Sequence, residues 1–305
     1  MAEEKKQSAE KSQKKGITWI IGFIIAVIAG VVWGVSEHNA DNQETNAENL
    51  QVHYIDVGQG DCIYISCGDD NMLIDCGEIG KQDIVESYLN GLGVTNLDYV
   101  IATHPHSDHM GCMDKIIEAY DIGEIILPHI DESDVPTTKY FGRFLTAVEN
   151  KGLEITEAQT DRIIKIGDSE CRIIAPCSDD YGNANNYSVG IIMTHGENSF
   201  IFTGDAEKLA EKEMIESGRL SDIDVYKAGH HGSDTSSSPE FLEIIKPDIA
   251  VISCGEGNSY GHPCDITIEN LSTYTDKIYR TDLCGTVTIT SDGEKLNVDT
   301  ERGDG

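Results

Sequence analysis

The stretch from Thr103 to Cys112, THPHSDHMGC, constrains this chain more than any other. It places His104, His106, Asp108 and His109 within six positions, although the chain holds only ten histidines in 305 residues. The apolar run LDYVIA leads into it and GCMDKIIEAY follows with helical spacing. In an extended stretch alternate side chains share a face, so His104 and His106 can grip one ion. A turn into the following helix carries Asp108 and His109 toward a second position. Neutral imidazole and carboxylate are ligands that suit zinc, manganese or iron. The plain alternative is a solvated loop, and the concentration of histidines argues against it.

The surrounding texture is that of a folded α/β domain. VHYIDV and CIYISC read as strands, and MLIDCG returns after the turn GDDN to form a hairpin. KQDIVESYLNGLG is an amphipathic helix closed by Gly91 and Gly93. KYFGRFLTAVENKG is a further helix, and DRIIKIGDSECRIIAP a strand pair. YSVGIIMT and SFIFTGD are joined by the turn HGEN; DVYKAGHHG runs from strand into loop. Hairpins mixed with strand–helix alternation predict mixed sheets with helices outside, not a doubly wound parallel sheet.

The chain carries 54 acidic against 22 basic residues, a formal charge of -32. Such a surface repels nucleic acid and anionic membranes at long range; solubility alone accounts for it. The nine cysteines contain no C-x-x-C pair, which excludes a zinc ribbon, and their odd number leaves at least one unpaired within the chain. Cys62, Cys171 and Cys254 sit in apolar runs and read as small core residues.

Ile17 to Val35 is free of charge. At about 1.5 Å per residue it just crosses a hydrocarbon layer of about 30 Å. Lys5, Lys6, Lys11, Lys14 and Lys15 precede it, and Glu37, Asp41 and Glu44 follow. That asymmetry predicts a cytoplasmic N-terminus and an extracytoplasmic remainder. A cleaved signal peptide and a buried core helix are the other readings; the long apolar run and the poor site around Trp33 to Glu37 argue against the signal peptide. The expected organisation is a basic tail over 1–16, a transmembrane helix over 17–35, a polar linker over 36–49, a hydrolase domain over 50–296 and a C-terminal tail over 297–305.

The H-x-H-x-D-H pattern resembles the signature of the metallo-β-lactamase superfamily. DVGQGDC, LIDCG, FTGDAE, KAGHHGSDTSSSPEFL, ISCGEGNSYGHP and RTDLCGTVTITSDG are similar to one branch, the ComEC-like extracytoplasmic domains of DNA-uptake proteins and their free-standing relatives. The resemblance implies an αββα sandwich with a binuclear metal site on one edge. It assigns His104 and His106 to one metal, Asp108 and His109 to the other, and Asp205 to a bridge between them, although Asp205 also suits a helix cap. The last ligand is expected at His230, with His231 as second choice. Adjacent side chains on an extended stretch cannot both face one ion, so the other is a proton donor or a structural neighbour.

One departure stands out. Many members carry a further histidine before the strand that leads to the GD pair, and here His195 is the nearest. If the hairpin turns at His195 to Asn198, Asp205 faces Ser188, and His195 stands about seven residues, roughly 23 Å, away. Asn186 and Ser188 occupy the vacated position, with Asn186 a weak ligand, a water holder or a substrate contact. Asn258, Tyr260 and His262 follow a strand at the same edge, and Ser233 opens a run of small donors. Asp108, His231, His262 and Asn258 are therefore the catalytic candidates; Asn186, Ser188, Ser233 and Tyr260 are the substrate-binding ones. The plain readings are a turn held by Asn258 and a capped helix start before Pro239.

Two divalent ions, zinc or manganese, would generate hydroxide near neutral pH. The resemblance thus implies a membrane-anchored, extracytoplasmic, metal-dependent hydrolase. Its expected activity is that of a phosphodiesterase or nuclease-like enzyme acting on nucleic acid or a cell-wall polymer. Alternatives are a teichoic acid phosphorylcholine esterase and a catalytically degenerate binding component that works with DNA-uptake partner proteins.

Overall fold

Leu50, Val52 and Tyr54 of β1 (Leu50–Tyr54) face the core between the sheets; on the other face Gln51 is exposed and His53 is buried under the outer layer. With β2 (Ile63–Cys67) and β3 (Asp70–Ile74), β1 forms an antiparallel meander. The chain then changes habit. α1 (Gln82–Gly91) crosses over to β4 (Asn96–Ile101), which lies parallel to β3. The short α2 (Ser107–Met110) and α3 (Met113–Ala119) lead to β5 (Asp121–Leu127), and α4 (Lys139–Lys151) leads to β6 (Ile155–Glu157). Gly152 ends α4 in the left-handed conformation (φ 66), where a Cβ would be strained.

The second sheet repeats the sequence of habits. β7 (Ile163–Ile166), β8 (Ser169–Ala175), β9 (Gly190–His195) and β10 (Asn198–Phe202) are antiparallel neighbours. β11 (Val225–Lys227), β12 (Ile249–Ile252) and β13 (Ile278–Arg280) then add in parallel, connected by α5 (Lys208–Glu216), α6 (Pro239–Ile245) and α7 (Asp265–Leu271). After α8 (Thr281–Cys284), β14 (Val287–Ser291) and β15 (Leu296–Thr300) return to the first sheet. The orders are β15-β14-β1-β2-β3-β4-β5-β6 and β13-β12-β11-β10-β9-β8-β7.

Three apolar layers hold these elements. Val52, Tyr54 and Ile65 meet Phe200, Phe202 and Val251 between the sheets. Leu89, Ile116 and Phe144 cover the outer face of the first sheet, and Met214, Leu242 and Leu271 cover that of the second. Each fully buried side chain of this size contributes about 1.5–3 kcal/mol. The result is helices, sheet, sheet, helices, with mixed sheets as the hairpin and crossover pattern predicted.

This computed structural model describes residues 48–130 and 135–303. The expected basic tail and transmembrane helix, and most of the linker, lie outside those residues. Among the described residues no helix is long and apolar enough to cross a membrane. At the other end, β15 pairs with β14 from Leu296 to Thr300, so the sheet runs past the expected boundary at 296. Its sequence, LNVDT, carries only two apolar residues and leaves no strong signal. All nine cysteines are free thiols, and seven are buried, including Cys62, Cys171 and Cys254.

Candidate metal centre

The carboxyl ends of β3, β4, β10, β11 and β12 open on one edge, where loops of parallel strands commonly form binding crevices. Asp205, just past β10, is buried in the middle. Its Oδ2 lies 3.2 Å from His109 Nε2, 3.7 Å from His104 Nε2 and 3.6 Å from His230 Nε2. Its Oδ1 lies 3.5 Å from His231 Nε2. Gly204 makes this approach possible: at φ +52, a Cβ there would stand 2.9 Å from Ser188 Oγ. Asp205 caps no helix. α5 starts at Lys208 with Glu207 before it, and the Asp205 N–H donates to Ser188 Oγ at 3.0 Å.

His104 and His106 do meet, with His104 Nε2 3.0 Å from His106 Nδ1. Burial lowers the pKa of His104 well below the ordinary imidazole value, and burial lowers that of His106 too. Both rings therefore offer lone pairs. α2 carries Asp108 and His109 toward His231, whose Nε2 sits 3.3 Å from Asp108 Oδ2 and 3.2 Å from His109 Nε2.

The chain around His230 and His231 is not extended. Gly229–Gly232 forms a tight turn in which both histidines are left-handed, at φ 49 and φ 54. Such residues cost about 1–3 kcal/mol each and concentrate at functional sites. Adjacent rings diverge here, their centroids 6.1 Å apart, so each reaches a different part of the centre. His231 Nε2 approaches Asp108, His109 and Asp205 together, whereas His230 Nε2 approaches Asp205 from the cleft side. His230 keeps 22% of its side chain exposed and contacts Thr235 Oγ1 through Nδ1 at 2.9 Å.

Two carboxylates brace the histidines from beneath. Asp75 Oδ2 is 2.8 Å from His109 Nδ1, and Asp75 accepts from Thr103 N at 2.8 Å and Thr103 Oγ1 at 2.7 Å. Asp61, which the reading of site residues missed, forms with His109, Asp205 and His231 a group whose ligand atoms all lie within 4.8 Å of one another. The signal was present in DVGQGDC. Gly60 (φ +123) lets this loop press on α2, since a Cβ would stand 2.1 Å from the Asp108 carbonyl oxygen. The Asp61 N–H then donates to that oxygen at 3.2 Å.

The electrostatics fit a cation. Burial opposes charge on His109 and His231, yet Asp205 with Asp75 beside the first and Asp61 beside the second raises both pKa values well above the ordinary one. Burial likewise opposes charge on Asp205, but His109 and His231 hold its pKa well below the usual carboxylate range. Asp205 Oδ1 is buried with no hydrogen-bond partner among the described residues. Two ring nitrogens facing each other at 3.2 Å beside an unsatisfied carboxylate oxygen form a donor set for a divalent ion.

A cleft of about 340 Å³ opens above the centre, with Asp108, His230, Tyr140, Tyr260 and His262 on its walls. Tyr260 is 67% exposed and its ring stacks on His262 at 5.8 Å. The other predicted contacts do not line this cleft. Asn258 spends its side chain on its own loop: Oδ1 accepts from Tyr260 N and His262 N, and Nδ2 donates to Gly255 O and His262 O. That makes Asn258 a builder of the loop, not a group free for catalysis. Asn186 Oδ1 accepts from Glu207 N at 3.1 Å, while neighbouring Asn185 lines the cleft. Ser188 holds Asp205 and lies 3.3 Å from His104 Nδ1, and Ser233 is buried against Thr235. His195 pairs with Asn198 at the hairpin end and contacts Ser291 Oγ through Nδ1 at 2.8 Å, away from the centre. A larger cleft of about 820 Å³, between Tyr88 and Arg302, holds none of the metal-centre residues.

Comparison with known proteins gives a consistent picture. Residues 55–256 match the family model of the Metallo-beta-lactamase superfamily. The chain is 29% identical over 256 residues to ComE operon protein 3 of Bacillus subtilis, covering 78% of this chain and 32% of that protein. It is 29% identical over 265 residues to Recombination protein 2 of Haemophilus influenzae, covering 83% of this chain and 30% of that protein. The chain therefore spans about a third of the length of these relatives. Among solved structures, the metallo-beta-lactamase fold protein YhfI from Bacillus subtilis superposes with a TM-score of 0.54 at 12% identity, over 80% of this chain and 100% of that one. The diiron beta-hydroxylase CmlA from Streptomyces venezuelae gives 0.55 at 16% identity, over 79% of this chain and 54% of that one. At such identities the likeness shows the fold alone. With the family match spanning the histidine cluster, Asp205 and both adjacent histidines, the chain belongs to the metallo-beta-lactamase superfamily, in its ComEC-like branch.

Proposed function

We propose that the chain is a membrane-anchored, extracytoplasmic hydrolase that cleaves phosphodiesters with two divalent ions, zinc or manganese. The observation that carries this reading is Asp205, whose two oxygens face His104, His109 and His230 on one side and His231 on the other. His104, His106 and Asp205 would hold one ion and Asp108, His109, His231 and Asp205 the other; bound there, the ions would supply water of lowered pKa and Lewis acidity toward a phosphoryl oxygen.

The chain's own groups do the rest. Among the described residues no Lys or Arg side chain lines the cleft. Attraction for a phosphate therefore has to come from the centre itself. It acts at short range, because charges beyond a Debye length of about 8 Å are screened at physiological salt. Burial and the adjacent His230 and His231 lower the pKa of His262, so its ring is neutral near neutral pH. From the cleft wall, its remaining N–H can donate to a substrate oxygen. Tyr260 adds a flat exposed face beside it. An open cleft of this kind suits the accessible chain of a polymer, nucleic acid or cell-wall material.

A second reading rests on Asn186. Its side chain is turned to Glu207 N, so the position that often supplies a third histidine gives the first ion nothing. A binding component that works with DNA-uptake partners would tolerate that loss. The lysines before Ile17 and the acids after Val35 support the anchored, outward-facing arrangement. A screen of the purified full chain with bis-p-nitrophenyl phosphate, single-stranded DNA, a phosphorylcholine ester and a cephalosporin, each with zinc or manganese, separates the readings. Phosphodiester turnover that stops with chelator is expected. DNA binding without turnover of any substrate favours the binding component.

A further inference from the structure

Lys227 closes β11, a strand enclosed by β10 and β12, and is 1% exposed. Its Nζ lies 2.5 Å from Asp61 Oδ2, and Asp61 is equally buried. Removing two charges from water is costly, and a buried ion pair is weak grounds for stability by itself. The location of this pair gives it another role. Asp61 Oδ1 is 3.2 Å from His231 Nδ1, and Asp61 Oδ2 is 3.9 Å from His109 Nδ1. These are the rings whose Nε2 atoms face Asp205. Lys227 is thus joined through one carboxylate to the back of both histidines, without lining the cleft.

We propose that Lys227 is a positioning residue of the metal centre, acting through Asp61 to set the charge that a cation bound beside His109 and His231 meets. Four buried or half-buried carboxylates surround these rings: Asp61, Asp75, Asp108 and Asp205. Lys227 cancels one of them. The His231 ring is oriented by the backbone: its Nδ1–H donates to Ser253 O at 3.0 Å, which fixes the tautomer whose Nε2 lone pair faces the ion, as outer partners of metal-bound histidines commonly do. Asp61 Oδ1, 3.2 Å from the same Nδ1, has no hydrogen-bond partner among the described residues, so Asp61 acts on the ring through its charge. The ring direction therefore survives loss of Lys227, and the charge effect can be read separately. A less negative surround leaves a bound ion a stronger Lewis acid.

The inference rests on cation binding at this centre and is independent of the substrate. The test is calorimetric titration of manganese or zinc into the metal-free full chain. Lys227→Met should tighten binding on the order of tenfold, because Asp61 then attracts the ion uncompensated. Asp61→Asn leaves the ammonium unpaired near the ion and should weaken binding by a similar factor. The double variant restores neutrality and should return to within about threefold of the parent. Lys227→Arg, which keeps the charge, should also stay near the parent. Thermal unfolding of the metal-free proteins reports folding apart from affinity. A Lys227→Met protein with lowered stability and unchanged affinity would make the pair a scaffold and overturn the proposal. So would equal loss of binding in both single variants and the double variant. If Lys227→Met does not fold, unchanged affinity in Asp61→Asn overturns it alone.

Discussion

His109 Nε2 and His231 Nε2 stand 3.2 Å apart, although 122 residues separate them in the chain. One ring comes from α2 past the first sheet, the other from the turn that ends β11 in the second. The centre is therefore a joint between the two sheets. Titration of the metal-free chain should show two unequal steps, the tighter at Asp108, His109, Asp205 and His231, and His231→Ala should abolish that step. His230→Ala, whose ring is partly exposed on the cleft wall, should retain it. The opposite outcome would return the ligand role to His230.

Among the described residues the cleft has no lysine or arginine on its walls, so the proposed ions should carry its anion binding. Single-stranded DNA should bind the metal-loaded full chain and be released by chelator, with affinity falling at least tenfold. Fluorescence anisotropy with a labelled oligonucleotide measures this. Binding indifferent to chelator would locate the anion site elsewhere.

His195 tests the hairpin register. Its ring bonds Ser291 Oγ at the far end of β9, so His195→Ala should cost about 1 kcal/mol of stability and leave turnover within a few-fold of the parent. An inactive His195→Ala protein with native circular dichroism would show that the register, and with it the ligand set, is wrong.

The parts of the site legible in sequence are those fixed by local spacing. His104, His106, Asp108 and His109 follow directly from a strand that turns into a helix. Counting back from the His195–Asn198 pair placed Ser188 opposite Asp205, and the Asp205 N–H does donate to Ser188 Oγ. What stayed hidden depends on backbone conformation. His230 and His231 cannot be told apart without knowing that both are left-handed. Asp61 looked like a residue of a glycine turn, because its partners Lys227 and His231 are far away in sequence. Ser233 and Asn258 stand among donors in sequence, but they spend their hydrogen bonds on their own loops. The same holds for the last strand, where β14 supplies the pairing that LNVDT does not announce.

His53 predicts part of the acid sensitivity. It is buried between Tyr64 and Tyr88, and burial lowers its pKa to about 4. As pH falls through the ordinary value of about 6.5, the unfolded chain takes up a proton that the folded one refuses. The stability present above that pH is therefore lost progressively between about pH 6.5 and about pH 4, amounting to about 3 kcal/mol. In His53→Gln this part of the loss should vanish. Urea midpoints at about pH 7 and about pH 4.5 should then differ less than in the parent.

Phosphodiester hydrolysis at this centre, as proposed, is tested most directly at Asp108. Asp108 stands on the cleft wall 3.3 Å from His231 and is removed from the apolar core, so Asp108→Ala should fold normally. The most direct measurement is the initial rate on bis-p-nitrophenyl phosphate at saturating manganese or zinc, for the full chain and for Asp108→Ala, with circular dichroism as the control for folding. The account predicts turnover by the parent and a loss on the order of 100-fold or more in the variant. Equal rates in the two proteins would contradict it, because the activity would then belong to some other site.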